Sequence, residues 1–242
     1  MENVIKNFYD EYCYPHPDGY IIDPKQKYKH GSATVGNGHH NKCILVAGCG
    51  SCEAVMVANT NPKSMVVGVD ISETQVAISK SIRRKYGIKN IVLHVNDICS
   101  ISYGIQFDII DATGVLHHIK NVDDALRNIY RLLKDDGCFV GMVYSTKRPK
   151  EIRSRVEAFR KMKFTTDDVF AWMENIENSK TILEWFNGYS QTRQEIADTW
   201  LNPFFEEYDE DSFRKKLKRI GFDNVCIEWN LSKTNLLFKA QK

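Results

Sequence analysis

No stretch of this chain comes near the roughly 18 apolar residues of a membrane-spanning helix. The N-terminus, Met1-Glu2-Asn3-Val4-Ile5-Lys6, has neither a long apolar core nor a cleavage signal. A cytoplasmic protein with no membrane partner is expected. Charge of one sign is also lacking. Lys and Arg number 33 against 31 Asp and Glu, a formal net of +2, so no whole-chain field demands nucleic acid or membrane. An even cysteine framework is missing too, and seven cysteines fit reduced thiols in a cytosol. Cys49-x-x-Cys52 lacks the second half of a metal site: His39-His40 and His117-His118 are adjacent, which is not metal-ligand spacing. Both cysteines read as small residues in a tight loop, with a redox pair as the alternative. No metal is expected. Internal repeats and low-complexity tracts are absent.

What is present is a core and a turn. With 43% hydrophobic residues over 242 positions, the chain suits either one large domain or a domain of about 150 residues with an elaboration. An apolar strand, Cys43-Ile44-Leu45-Val46-Ala47, runs into Gly48-Cys49-Gly50-Ser51-Cys52-Glu53-Ala54, where a helix starts. Twenty-two residues after Gly48 a second apolar strand, Met65-Val66-Val67-Gly68-Val69, ends in Asp70. That is the geometry of a nucleotide pocket at the carboxyl edge of a parallel sheet. Glycines let backbone approach a ligand, and a carboxylate takes two hydrogen bonds from a ribose diol.

The rest of the chain keeps a regular order. Residues 2 to 14 read as a short helix with Val4, Ile5, Phe8, Tyr9 and Tyr12 on one face, followed by a turn-rich break over 13–19 and a loop or lid over 23–41. Strands are predicted at 42–46, 64–69, 91–94, 107–111 and 138–144. Helices are predicted at 53–58, from the N-cap Ser72 to about Tyr86, and at 122–133. Gln75 stands where a capping box needs it. From 147 to 208 the rhythm stops and an aromatic, charged stretch reads as several short helices. It carries Phe159, Phe164, Phe170, Trp172, Trp185, Phe186, Tyr189 and Trp200. A helix over 211–220 and strands at 225–229 and 235–240 close the chain. Strands alternating with helices predict βαβ units, a parallel sheet with helices on both faces, and a site at the strand C-termini.

At this point the residues resemble the class I S-adenosylmethionine-dependent methyltransferases, in particular small-molecule enzymes with a Leu-His-His run. The resemblance is carried by Ile44 to Gly50, Gly68-Val69-Asp70-Ile71-Ser72, Asn96-Asp97-Ile98, Phe107 to Ile119, and the turn Leu132 to Gly137. It is close over 42–145 and extends to 211–242. It implies an α/β, Rossmann-like, doubly wound seven-stranded sheet, mostly parallel, with an antiparallel C-terminal hairpin and an inserted helical cap. The expected division is 1–41 as N-terminal helix and lid segment, 42–146 as cofactor-binding core, 147–208 as helical substrate cap, and 209–242 as closing helix and strands. The implied cofactor is S-adenosyl-L-methionine, leaving as S-adenosyl-L-homocysteine. The loop Gly48-Cys49-Gly50 would pass under its methionine part. Asp70 would hold the ribose, Ile71 and Ile98 would cover the adenine, and Asp97 would accept from the adenine amino group. Ala112-Thr113-Gly114 would offer carbonyls to the methionine amine. The chain departs from the family at Val46, where an acid is usual, and at Cys52, where a third glycine is usual.

Methyl transfer is an in-line displacement that needs positioning above all, to about 3–3.5 Å. A base adds about 10²–10⁴-fold where the acceptor carries a proton. His117 and His118, just past strand four, read either as base or acceptor-orienting groups or as packing residues; Asp111 at the strand end is the other catalytic candidate. Tyr9, Tyr12 and Tyr14 read as an aromatic lid and, with Tyr144, as the substrate-binding set, since a π-face suits a sulfonium or amine. The stretch Lys147 to Lys163 carries eight Lys or Arg against two glutamates. It reads as a solvated face, an anion site, or a surface for RNA, and the acidic run Glu206 to Asp211 offsets it. A dinucleotide dehydrogenase fits less well: its fingerprint wants Gly or Ala where Glu53 stands, and it has no use for Leu116-His117-His118. The sequence thus predicts a methyltransferase acting on a small molecule. Nucleic acid is a less favoured partner, and the alternatives are an RNA or protein methyltransferase using 147–163, or a non-catalytic cofactor-binding module. Acceptor and oligomeric state are not written in the sequence.

Overall fold

The computed structural model describes residues 2–14, 32–175, 194 and 197–242. The expected break over 15–19, the loop's first part and the aromatics Trp185, Phe186 and Tyr189 lie outside these residues. Seven strands form one sheet: β1 (His40–Ala47), β2 (Lys63–Asp70), β3 (Ile91–Val95), β4 (Phe107–Thr113), β5 (Leu133–Tyr144), β6 (Asp223–Trp229) and β7 (Asn235–Gln241). Their order is β3-β2-β1-β4-β5-β7-β6. The first five run parallel, and β7 is antiparallel to both β5 and β6. This is the doubly wound, mostly parallel sheet with an antiparallel hairpin that the sequence predicts.

Burial explains why the strands read as continuous apolar runs: both faces are covered. Along β1 the odd and even positions split between two cores. Ile44 and Val46 join α3 (Glu53–Thr60) and Val76 of α4 (Glu73–Lys85) on one face. Leu45 and Ala47 join α5 (Val122–Leu132) and α8 (Glu210–Ile220) on the other. The chain winds outward from β1 to β3, then returns to place β4 against β1. The winding therefore reverses between β1 and β4, and in such sheets the crevice beyond the strand C-termini at that point takes the ligand.

Several boundaries differ from the sequence reading, each for a local reason. The N-terminal helix α1 spans Glu2–Glu11. Within the predicted loop, Ser32–Val35 forms a four-residue helix, α2, pinned by the Thr34 hydroxyl to Asp111 at 3.0 Å. The run Lys134–Gly137 is an irregular part of β5 rather than a separate turn, since the register steps from Phe107↔Leu133 to Ile109↔Cys138. Only half of the capping box forms. Ser72 accepts from the Gln75 amide, but Gln75 Oε1 accepts from the Tyr14 amide at 3.1 Å, while the Ser72 amide donates to Asp70.

After β5 come α6 (Lys150–Met162), α7 (Thr166–Met173) and a π-turn, Ala197–Leu201. They share a third core of Ile152, Val156, Phe159, Val169 and Trp200, the inserted cap. Its basic residues are mostly engaged. Arg148 lies over Tyr144 (4.1 Å), Arg155 over Trp172 (4.8 Å), Arg160 over Phe205 (4.8 Å) and Lys147 over Trp229 (3.8 Å). Arg153 pairs with Glu207, so the acidic run does meet the basic one. Among the described residues no helix is long and apolar enough to cross a membrane.

Candidate active site

A cavity of about 1020 Å³ opens at the C-terminal ends of β1, β2, β3 and β4, at the upper end of the ~300–1,000 Å³ usual for small-molecule sites. Its floor is the loop after β1. Gly48 and Gly50 have φ of +64° and +52°, a region open to glycine at no cost. A Cβ on Gly48 would stand 2.4 Å from Val115 Cγ2, so the loop and the turn after β4 meet only because the side chain is absent. Cys52, where a third glycine is usual, has φ −153° and needs no glycine. Cys49 and Cys52 are fully buried, and burial holds both thiols above their ordinary range. Val46, at the family's acidic position, is a core residue at 1% exposure. Glu53 supplies a carboxylate to the cavity wall instead.

Asp70 ends β2 inside the cavity and ties two loops together. Its Oδ2 accepts from the Gly50 amide at 2.8 Å and its Oδ1 from the Ser72 amide at 2.9 Å. A carboxylate has about four acceptor sites, so these amides do not exhaust it. Burial raises its pKa to about 6, against the pull of the Ser72 and Gly50 amides. Asp97 follows β3. Its Oδ1 accepts from the Cys99 amide at 2.8 Å, and Oδ2 has no protein donor among the described residues. Ile71, Ile98, Cys49, Thr113 and Gly114 also line the cavity. Two carboxylates flanked by isoleucines, above a loop whose two glycines carry no Cβ, fit a nucleoside with hydroxyl and amino donors. Of the expected cofactor-binding residues, all but the buried Ala112 border this one space.

The expected catalytic and substrate residues divide. His118, Tyr9 and Tyr14 line the cavity, joined by Phe204, which follows the π-turn, and by Val4 and Ile5 of α1, which roofs it. His117, Asp111, Tyr12 and Tyr144 do not. His117 has no exposure, stacks on Tyr144 at 3.7 Å, and finds no hydrogen-bond partner for either ring nitrogen among the described residues. Burial drives its pKa well down. Asp111 is wholly buried behind Thr113 (2.6 Å) and Thr34 (3.0 Å), and burial raises its pKa to about 7. Tyr12 packs against Phe8 at 5.3 Å.

His118 sits in a short 3₁₀ turn, Leu116–His118. Its Nδ1 is 2.9 Å from the Phe204 carbonyl. A carbonyl only accepts, so Nδ1 carries the proton and the neutral ring keeps its lone pair on Nε2. Burial lowers the His118 pKa, more than the nearby Asp198 raises it, so the ring is neutral at pH 7. Nε2 stands 4.0 Å from Asp198 Oδ1, and the same oxygen accepts from the Tyr9 hydroxyl at 2.8 Å. Sequence reasoning missed Asp198, which stands in no motif spacing, and took Glu53 only as a departure from the dinucleotide fingerprint.

A family model described as "Methyltransferase domain" matches residues 39–196. The malonyl-(acyl-carrier protein) O-methyltransferase of Bacillus cereus is 22% identical over 205 residues, covering 81% of this chain and 71% of that protein. The demethylmenaquinone methyltransferase of Lactobacillus johnsonii is 30% identical over 95 residues, 38% of this chain and 39% of that one. Among solved structures, PKMT2 from Rickettsia typhi superposes with a TM-score of 0.66 at 15% identity, covering 87% of this chain and 51% of its own. The 1,6-didemethyltoxoflavin-N1-methyltransferase of Burkholderia thailandensis, solved with S-adenosylhomocysteine, gives 0.52 at 15% identity, covering 84% and 72%. At these identities the structural likeness shows the fold, and the chain spans about half of the Rickettsia protein. Sheet order, cavity and a family match over more than half its length together make this chain a member of the class I S-adenosylmethionine-dependent methyltransferases.

Proposed function

We propose that the chain transfers a methyl group from S-adenosylmethionine to a small molecule held in the same cavity. One observation carries this reading: a single space runs from Asp70 and Asp97 to Tyr9, His118 and Phe204, under the roof of α1. When bound, the cofactor supplies a sulfonium methyl open to nucleophilic attack. Asp70 would take the ribose hydroxyls and Asp97 the adenine amino group, with Ile71 and Ile98 on the ring faces. Gly48 and Gly50 would leave room for the methionine portion. At the other end His118 presents a lone pair on Nε2 to an acceptor, while Tyr9 and Phe204 shape its seat and α1 excludes water, which strengthens every polar contact within. A small acceptor is consistent with the Burkholderia structural neighbour, which was solved with 1,6-didemethyltoxoflavin bound. The alternative of RNA or protein held on 147–163 loses support, because five of those eight cations already contact aromatic rings or Glu207.

Calorimetric titration with S-adenosylhomocysteine tests the cofactor half. Wild-type protein binds, and Asp70→Ala weakens binding by about 10–100-fold, the worth of hydrogen bonds to a charged group. The raised Asp70 pKa fixes the pH dependence. Below about pH 6 the free carboxyl holds a proton that the ligand must displace, so affinity falls with acidification by up to about tenfold per pH unit in wild type and stays flat in Asp70→Ala. Wild-type protein that is folded yet silent in this titration would sink the reading.

A further inference from the structure

Behind the acceptor end of the cavity lies a buried carboxylate that no motif accounts for. Asp198 belongs to the π-turn Ala197–Leu201 and is 8% exposed; such turns recur at functional sites. Three elements aim polar groups at it. The Tyr9 hydroxyl of α1 donates to Oδ1 at 2.8 Å, the Tyr144 hydroxyl at the end of β5 donates to Oδ2 at 3.4 Å, and Asn202 Nδ2 donates to Oδ1 at 3.4 Å. Asn202 also donates to the Tyr9 oxygen at 2.9 Å. Among the described residues its one ion-pair contact is His118 Nε2, at 4.0 Å. A buried carboxylate is costly without a compensating charge. Among the described residues no cation forms an ion pair with Asp198 while His118 is neutral, and one does once Nε2 takes a proton.

We propose that Asp198 is the positioning residue of the transfer: it fixes Tyr9 against the acceptor and stabilises the imidazolium that His118 becomes on accepting the acceptor's proton. This deepens the proposed function and rests on it. The balance is simple. The acceptor's X–H pair becomes the X–CH3 bond, the sulfonium S–CH3 pair stays on sulfur, the proton goes to His118 Nε2, and solvent later removes it. Phe204 cannot serve as a proton acceptor in this exchange, because its carbonyl only keeps Nδ1–H in place. The arrangement suits acceptors that reach the site with a proton on the nucleophile, a hydroxyl or ammonium, and gives no advantage to a carboxylate or a thioether. The charged and titratable groups around His118 are Asp198 on the π-turn, Tyr9 on α1, its neighbour His117, Tyr144 on β5, Arg148 after it and Arg160 on α6. The arginines disfavour the imidazolium and Asp198 favours it.

Long-range proton–nitrogen NMR of histidine-labelled protein tests this without any acceptor, with His118→Gln assigning the ring. In wild type His118 should hold its proton on Nδ1. Asp198→Asn should lower its titration midpoint by about one pH unit, since an opposite charge is lost. Tyr144→Phe should raise it, since the carboxylate is freed of a donor that shares its charge. A residue that merely packs predicts no such opposed shifts. An Nε2–H tautomer in wild type, or a His118 midpoint unmoved in whichever of the two variants folds, would overturn the proposal. Calorimetry with S-adenosylhomocysteine on the same wild-type sample separates this failure from failure of the methyltransferase reading, since that titration reads cofactor binding whichever nitrogen of His118 holds the proton.

Discussion

Adjacent histidines with opposite surroundings show how much one residue's place decides. A 3₁₀ turn advances about 120° per residue, so His118 faces the cavity while His117 turns to Tyr144. Linear spacing carries no such angle, and the sequence left the two alike. Asp70 and Asp97 were legible for the opposite reason: Asp70 ends β2 and Asp97 lies two residues past β3, and strand ends converge wherever a parallel sheet winds from both sides. Asp198 was illegible because its partners Tyr9 and Tyr144 are brought to it by tertiary packing alone. Asp111 yields a prediction at this scale. Its pKa is raised by burial to about 7, against about 3.9 in an unfolded chain. The folded state therefore binds the proton more tightly, and the stability this confers, full below about pH 4, is lost as pH rises toward 7. Asn keeps an Oδ1 for Thr34 and Thr113 and never ionises. The melting temperature of Asp111→Asn relative to wild type should thus increase from pH 5 to pH 8, by the equivalent of about 1–3 kcal/mol; parallel thermal melts at the two pH values read it directly.

At the scale of elements, the cap and the sheet carry separate cores. Trp200 has no exposure and meets Phe159 and Trp172 edge-on at 6.0 and 5.8 Å. Trp200→Ala should cost about 3–5 kcal/mol within the cap. Hydrogen exchange should show faster amides in α6 and α7 and unchanged protection in β1, β4 and β5; uniform loss across the sheet would contradict two independent cores. The sequence predicted the sheet strand by strand because both-face burial leaves unbroken apolar runs, as in Ile44 to Ala47. It did not predict α2, whose four residues are too few to show periodicity and are held by Thr34 rather than by propensity. Nor did it foresee that Gln75 would leave its capping box, since the claim of Tyr14 on its side chain is a contact across 61 residues.

At the scale of the molecule, α1 stands over the cavity, with Val4, Ile5 and Tyr9 on its lining. Two neighbouring side chains fasten it to different parts of the fold. Tyr9 reaches Asp198 of the cap, and Asp10 takes hydrogen bonds from Ser72 Oγ at 2.6 Å and the Thr74 amide at 3.3 Å, beside Asp70 and Ile71. Asp10→Ala removes the second fastening, worth about 1–3 kcal/mol for bonds to a charged acceptor. S-adenosylhomocysteine should then dissociate about tenfold faster with the association rate nearly unchanged; stopped-flow displacement measures both, and an unaltered off-rate would remove α1 from this role. The roof also has a kinetic corollary. On the proposed function the methyl donor's nucleoside would lie beneath the same helix that borders the acceptor's seat, and spent cofactor would depart only when both fastenings let go. Pre-steady-state records should accordingly show a burst: the first methylation outruns every later one, and turnover keeps time with the opening of a ten-residue helix rather than with the chemistry it shelters.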